Sequence, residues 1–457
     1  MTPQEHVNEL IAKARVAQKT FESFSQEDVD KAVQAIGKKI YDNAKPLAEL
    51  AVEETKMGNV NDKIAKNMGK PKVTWYKLKG KPSRGVIRRI PEEGLVEVAK
   101  PIGVIGAITP VTNPIMTPIH NSMIALKGAN AIIVCPHPSA FKSGVETVKL
   151  MREALKEVGA PEDLIQCVGE ASIEVSGLIM SSCDASIATG GPGMVKAVYS
   201  SGKPAFGVGA GNVQSIWDAD ADFAGAVTKT VAGRTYDNGV LCTCEQTVHC
   251  PESKADEALA KLAEAGGYVI TDEAEVAKIR DFVFPGGALN KDVVGIKPYL
   301  IAKGAGIDIP EDTKFIVTKV TKFGADESLC KEKLFPVLAF APYDTWENAV
   351  AHASTNIDNE GTGHSCVIHS NTPANVEYAA ERIRVSRFSV NQMGSGSLGG
   401  TLANGLNPTG TLGCGSWGNN SISENLWWTH LVNISRIAYE IPDAPGLKLT
   451  DDELWAF

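Results

Sequence analysis

The sequence contains no run of about 18 uncharged apolar residues, so no membrane-spanning helix is expected. Its opening, MTPQEHVNELIAKARV, lacks the apolar stretch of an export signal, and the cytoplasm is the expected compartment. Lysines and arginines form no block interleaved with aromatics, aromatics make up only 6 %, and the net charge is −9; a nucleic-acid partner is not expected. No internal repeat or low-complexity tract is visible, which excludes solenoid architectures. A zinc knuckle is also missing. Cys242 and Cys244 form C-x-C with His249 and Cys250 close by, but no second pair follows at the usual spacing of about 12 to 20 residues, so no metal is expected. Cysteine itself is scarce: nine, an odd number, scattered along the chain, as suits reduced thiols better than a disulfide framework.

What is present describes a globular α/β protein. A chain of 457 residues exceeds the ~250 to 300 at which one core stops growing, so two or more domains are expected. The first 55 or so residues carry helical periodicity, with Ser25, Glu27 and Asp28 opening an amphipathic helix that carries Val29, Ala32, Val33 and Ile36. RGVIRRIPEEGLVEVAK, residues 84–100, alternates around a Pro-Glu-Glu-Gly turn and reads as a hairpin with little core of its own, suited to joining a neighbouring subunit. Then come short apolar runs, GVIGAITP, NAIIVCP, DLIQCV and ASIATGG, separated by helical segments. That alternation predicts a parallel sheet covered on both faces, with ligands beyond the carboxyl ends of its strands. A second α/β stretch begins near 237, and LVNISRIAYEI near the end reads as a strand.

Three features invite chemistry. ATGGPGMVK, from 188, has glycines opening a helix; it is either a pyrophosphate cradle or a plain strand-to-helix turn. GVGAGN, 207–212, ends in Asn where a G-x-G-x-x-G fingerprint needs glycine, and reads as a tight turn. In DNGVLCTCEQTV, 237–248, Asn238-Gly239 turns the chain and Glu245-Gln246-Thr247 reads as a helix, placing Cys242 at a helix start. There, unpaired amides and the macrodipole would lower its pKa.

Taken in order, TPVTNP (109–114), KGANAIIVCPHP (127–138), ATGG, GVGAGN, DNGVLCTCEQ, CKEKLFPV (330–337) and GTLGCGSWGNNSISEN (410–425) resemble the CoA-acylating branch of the aldehyde dehydrogenase superfamily. The resemblance is nearest to acylating succinate-semialdehyde and sulfoacetaldehyde dehydrogenases and to the aldehyde dehydrogenase half of aldehyde-alcohol dehydrogenases. It implies an aldehyde dehydrogenase-like α/β fold: a Rossmann-type NAD(P)-binding domain over 1–236, a catalytic domain over 237–420, and a segment 421–457 returning to the first. The hairpin and the last strand would build a homodimer or tetramer.

By the same resemblance, Cys242 is the nucleophile, Cys244 a bystander, and Asn113 holds the oxyanion together with the nucleophile's N–H. Glu332 meets the nicotinamide ribose, and Thr109, Pro110, His137, Ser139, Gly190, Gly191 and Gly209 are the expected contacts of NAD or NADP. Apart from the resemblance, Lys142 and His137 either meet a 2′-phosphate or are a solvated lysine and a turn histidine. Hydrolytic relatives carry a water-activating glutamate where this chain has Gly207. Without that base a thioester should persist until a thiol arrives, so coenzyme A is the implied co-substrate. His364 either assists coenzyme A, as base or phosphate contact, or is structural. Arg387 either meets the anion of a semialdehyde or forms a surface ion pair. The expected substrate is a small anionic semialdehyde; acetaldehyde or propionaldehyde, a phosphate-dependent semialdehyde reductase, and a silent nucleotide-binding scaffold are the alternatives.

Overall fold

The computed structural model describes residues 2–456. Four helices open the chain, Pro3–Phe21, Gln26–Asp42, Ala44–Thr55 and Val60–Leu78. The Ser25 hydroxyl accepts the Asp28 N–H at 3.1 Å to start the second helix. The buried stripe of that helix, Val29, Ala32, Val33, Ile36 and Ile40, shares one core with the first sheet.

Among the described residues the strands form three sheets. The first has five parallel strands in the spatial order Ile165–Cys167, Ala131–Cys135, Val104–Ile108, Ala185–Thr189, Ala205–Val208. Its central strand, Val104–Ile108, comes first in the chain. Two later strands build outward on one side before the chain crosses over to build the other. The order therefore reverses between Val104–Ile108 and Ala185–Thr189, and beyond the carboxyl ends of those two strands lies the crevice where such sheets take ligands. Every residue of Val104–Ile108 and Ala131–Cys135 is buried, as strands covered on both faces require.

The second sheet has seven parallel strands, in the order Gly267–Ile270, Phe315–Lys319, Val337–Tyr343, Glu245–Pro251, Val213–Trp217, Cys366–His369, Phe388–Val390. The chain leaves the first sheet at Val208 and enters the second at Val213, so the change falls there and not at residue 236. Gln214 and Ser215 interrupt the apolar run that would have announced this strand. Inside the protein they are satisfied: Gln214 Oε1 is hydrogen-bonded by His249 at 3.0 Å and Asn356 at 2.9 Å.

The expected hairpin is present as Gly85–Ile90 and Leu95–Pro101, antiparallel. Val432–Ala438 pairs along the other edge of Leu95–Pro101, so the end of the chain closes a three-stranded sheet. Among the described residues no helix is long and apolar enough to cross a membrane.

Candidate active site

Three successive residues after helix Phe223–Thr235 take left-handed backbone angles: Asp237, Asn238 and Gly239, with φ of 51°, 53° and 75°. At Gly239 a Cβ would collide with Arg234 Nη2 and lie 2.9 Å from the Phe335 carbonyl carbon, so only glycine fits. The other two are held by their side chains. Asp237 accepts from Lys63 Nζ at 2.9 Å, Lys66 Nζ at 2.5 Å and the Asn59 N–H at 2.8 Å, and Asn238 Nδ2 donates to the Gly295 carbonyl at 2.9 Å. Arg234, fully buried, fastens both sides of the segment that follows. Nη2 donates to the Gly239 carbonyl at 2.7 Å and Nη1 to the Glu245 carbonyl at 2.9 Å, which fixes the loop carrying Cys242 at both ends.

Cys242 therefore sits on a clamped loop and not at a helix start. Glu245–Pro251 is a strand near the middle of the second sheet, buried at all seven positions. Its polar residues concealed it in the sequence. They are paired in part: Gln246 Oε1 accepts from Arg234 at 2.6 Å, and Glu245 Oε1 accepts the Gly394 N–H at 2.6 Å. With no helix dipole on it, the Cys242 thiol is pushed up, first by burial and next by the Glu332 carboxylate.

The Cys242 side chain opens into a cavity of about 230 Å³, bounded by helix Val60–Leu78, Asn113, Met116, Leu241, Leu412 and the glycine-bearing segment 393–401. That is smaller than the ~300 to 1,000 Å³ of sites for drug-sized ligands, and suits a short-chain molecule. Cys242 and Asn113 share it. Asn113 Oδ1 accepts from Lys66 Nζ at 2.9 Å, while its Nδ2 has only a long contact of 3.4 Å with Thr112 Oγ1 and is free to donate. Burial pulls Asp237 up, but Lys66 and Lys63 overcome this and hold it below the usual carboxylate range. Burial and the neighbouring Lys66 push Lys63 down to about 8.

Behind Cys242, the segment 209–212 links the carboxyl end of the first sheet to the amino end of the second. A Cβ at Gly211 would collide with the Cys242 carbonyl oxygen and lie 2.9 Å from His364 Cε1. Here the backbones touch and glycine is required. The Gly211 N–H donates to Glu332 Oε1 at 2.8 Å, and burial pushes the Glu332 carboxyl up to about 8.

The residues expected to meet a dinucleotide fall beyond the carboxyl ends of the first sheet. Thr109 and Pro110 follow its central strand, and Gly190 and Gly191 follow the strand across the reversal, leading into helix Pro192–Tyr199. Gly209 follows the edge strand, and His137 and Ser139 follow Ala131–Cys135. His137 Nδ1 accepts the Ser139 N–H at 3.1 Å, so that ring nitrogen is occupied by its own turn. The Lys142 N–H is taken by Glu54 at 2.8 Å.

Gly207 lies within the edge strand, with its N–H on the Tyr199 hydroxyl at 2.8 Å. A Cβ there would sit 2.9 Å from both Val198 Cγ1 and Tyr199 Cε2, so the space is already filled.

Two expectations change. Arg387 is neither a surface ion pair nor a wall of the Cys242 cavity. It is 4 % exposed, and its terminal nitrogens donate to the carbonyls of His364, at 2.9 Å, and Gly413. Those two bonds brace the backbone at His364 and Gly413. His364 is wholly buried, and neither ring nitrogen has a partner among the described residues. Burial and Arg387 push it down to about 3, which keeps it neutral.

The geometry is matched by known proteins. Residues 1–274 match the sequence profile of the Aldehyde dehydrogenase family. Over 439 residues the chain is 48 % identical to the succinate-semialdehyde dehydrogenase (acetylating) of Clostridium kluyveri, covering 96 % of this chain and 97 % of that one. The chain belongs to the aldehyde dehydrogenase family. An acetylating aldehyde dehydrogenase from Geobacillus thermoglucosidasius has the same fold, with a TM-score of 0.93 at 37 % identity, covering 97 % of this chain and 98 % of that one. A propionaldehyde dehydrogenase from Rhodopseudomonas palustris, solved with bound CoA and an acylated cysteine, matches with a TM-score of 0.84 at 27 % identity, covering 95 % and 97 %.

Within this family member, four site residues escaped the reading of the sequence. Lys66 and Lys70 lie four apart on a lysine-rich helix, and only the fold turns this pair inward. Asp237 precedes the Asn-Gly turn, and neither it nor Arg234 was singled out. No spacing distinguishes a buried arginine from an exposed one; the signal available was the density of polar residues from 234 to 247, more than a plain turn needs.

Proposed function

We propose that the protein oxidises a short aldehyde to its CoA thioester, with NAD or NADP as oxidant, through a thioester on Cys242. The observation that carries this reading is the shared cavity: Cys242 and Asn113 line one small volume, and among the described residues no Asp or Glu lines it.

The residues beyond the first sheet suit a dinucleotide. Around Gly191 and Gly193 no atom lies within 4 Å of where a Cβ would be, leaving the amides that begin helix Pro192–Tyr199 open to an anion. Thr109, Pro110, Gly190 and Gly191 would lie against the dinucleotide at the reversal of strand order, and Glu332 would meet the ribose. Bound there, a nicotinamide supplies the hydride acceptor.

The chain's own groups perform the remainder. The Cys242 thiol loses its proton to solvent and the resulting thiolate attacks the aldehyde carbon, while Asn113 Nδ2 with the Cys242 N–H receives the developing oxyanion, for which one such donor is worth roughly 10²- to 10³-fold in rate. Loss of hydride from that carbon leaves an acyl thioester on Cys242. Water then needs a base. The position that would supply one, Gly207, is closed by Val198 and Tyr199, and Glu332 at about 8 is mostly protonated at neutral pH. A thiol, far more acidic than water, needs less help, so CoA takes the acyl group and frees the sulfur.

The test is product analysis with the purified protein, an aldehyde and NAD or NADP, in the presence of CoA, of phosphate, or of neither. Acyl-CoA formed only with CoA supports the reading. Acyl phosphate would favour the phosphate-dependent alternative, and free acid formed equally fast without either would end the thioester-transfer argument.

Two further assignments belong to this reading. The three-stranded sheet is a subunit contact, since its outer strand Gly85–Ile90 has an unpaired edge among the described residues and Val86, Ile437 and Tyr439 are exposed. A monomer by light scattering removes that assignment. The nine cysteines are all free thiols, which suits a reducing cytoplasm.

A further inference from the structure

Two lysines reach the cavity that holds Cys242, and they differ in what neutralises them. Lys66 shares Asp237 with Lys63 and is tied to Asn113. Lys70, one turn on, bonds only to the carbonyls of Gly399 and Thr409, each at 3.0 Å. Carbonyls satisfy two of the three ammonium N–H groups but cancel none of the charge. Among the described residues lining the cavity there is no carboxylate, and the nearby His120 is held neutral, pushed down to about 3 by burial and by Lys70 itself. Burial pushes Lys70 down to about 8, which leaves it mostly charged at neutral pH. Gly399 gives it room, since a Cβ there would lie 3.3 Å from the ammonium nitrogen. The neighbouring walls are apolar, with Val73, Met116, Leu241 and Leu412, so the field of this charge is little screened.

We propose that Lys70 selects the substrate: its ammonium receives the carboxylate or sulfonate at the far end of a short aldehyde whose carbonyl lies against Cys242. The inference rests on the thioester reading above and gives it a substrate class. An anionic end supplies both the missing acceptor and the missing charge. An uncharged aldehyde of the same length supplies neither and leaves a part-buried ammonium unsatisfied, a mismatch that such sites reject strongly. Lys66 is the poorer receptor, because its charge is already paired with Asp237.

The bland alternative is that Lys70 only fastens the segments at 399 and 409 to helix Val60–Leu78. The experiment compares kcat/KM for succinate semialdehyde and for butanal, each with CoA and with NAD or NADP, in the unaltered enzyme, Lys70→Met and Lys70→Arg. Both aldehydes are assayed on one preparation, so partial unfolding cancels from their ratio. In Lys70→Met the preference for the anionic aldehyde should fall ~10- to 100-fold, mostly through KM, as loss of one charge-assisted hydrogen bond implies. Lys70→Arg should retain most of it. An unchanged ratio in Lys70→Met, or an unaltered enzyme that prefers butanal, overturns the assignment while thioester transfer stands. Absence of acyl-CoA from either aldehyde overturns both.

Discussion

Lys66 Nζ donates to the side-chain carbonyl of Asn113 at 2.9 Å, and that bond decides which end of the amide faces the cavity. An asparagine side chain is a donor on one side and an acceptor on the other. Only the donor side helps an oxyanion; turned over, the same residue would repel it. Lys66 is in turn held by Asp237, which belongs to the left-handed turn leading to Cys242. One buried ion cluster thus orients the oxyanion donor and anchors the nucleophile's loop.

The first prediction follows from this dependence. Asn113→Ala should lower kcat ~10²- to 10³-fold, the usual worth of one oxyanion donor. Lys66→Met should lower it ~10- to 100-fold by releasing the amide, with Lys63 still present to pair Asp237. If Lys66 works through Asn113, the double variant is no slower than Asn113→Ala alone. Losses that multiply in steady-state assays would place the action of Lys66 elsewhere.

Restoring a glutamate at Gly207 should not create a hydrolase. The strand position is occupied by Val198 and by Tyr199, whose hydroxyl also binds the Gly207 N–H. A Gly207→Glu side chain must displace them, at a cost of ~1 to 3 kcal/mol for overpacking. The variant should melt at a lower temperature and release free acid without CoA no faster than the parent, measured by acid formation after acyl-enzyme loading. A marked rise in CoA-independent acid would show that the missing carboxylate alone suppresses hydrolysis.

Much of this was legible in the sequence wherever local chemistry and global role coincide. The apolar runs of the first sheet are buried on both faces and read as strands, and the hairpin at 84–100 carries its own turn. The Cys242 and Asn113 pairing came from resemblance, not from spacing: nothing local marks Asn113 as more than a residue before proline. What failed did so for one physical reason. Strands Val213–Trp217 and Glu245–Pro251 carry Gln, Ser, Glu, Thr and His at fully buried positions, so the apolar pattern that announces a buried strand was absent, and Glu245-Gln246-Thr247 read as a helix. Of their polar groups, the Gln214 and Glu245 side-chain oxygens are paired by residues far away in sequence, Asn356 and Gly394. Long-range satisfaction of that kind leaves no local trace. The same holds for Lys70 and Arg387: the sequence proposed the arginine for a substrate anion, and the fold buries it against carbonyls while turning a lysine of an ordinary-looking helix into the cavity.

Gly239→Ala tests how far the nucleophile depends on its turn. Alanine at φ 75° is strained, and its methyl group would strike Arg234 and crowd Phe335. A loss of at least ~2 kcal/mol is expected from strain and overpacking together. Because Arg234 ties Gly239 to Glu245 across Cys242, activity should fall well beyond the loss of folded protein. Thermal melting and kcat on the folded fraction check this, and a stable variant with full activity would show the clamp to be dispensable.

The reactivity of Cys242 without cofactor should follow Glu332. Burial and then the Glu332 carboxylate push the thiol up, so at neutral pH the thiolate fraction is small and alkylation by iodoacetamide should rise about tenfold per pH unit. Glu332 itself is pushed up to about 8, foremost by burial. Below that value it is mostly neutral and opposes the thiolate little; above it, the carboxylate charge raises the cost of the neighbouring anion, and the two groups titrate as a pair. Glu332→Gln removes the charge at every pH. At pH ~6.5 the variant and the parent should therefore be alkylated at similar rates, and at pH ~9 the variant should react severalfold faster. Peptide mass spectrometry assigns the label to Cys242, so buried Cys244 does not confuse the readout. Equal rates at the higher pH would mean that burial alone holds the thiol neutral, and that the carboxylate faces the cofactor side without acting on the sulfur.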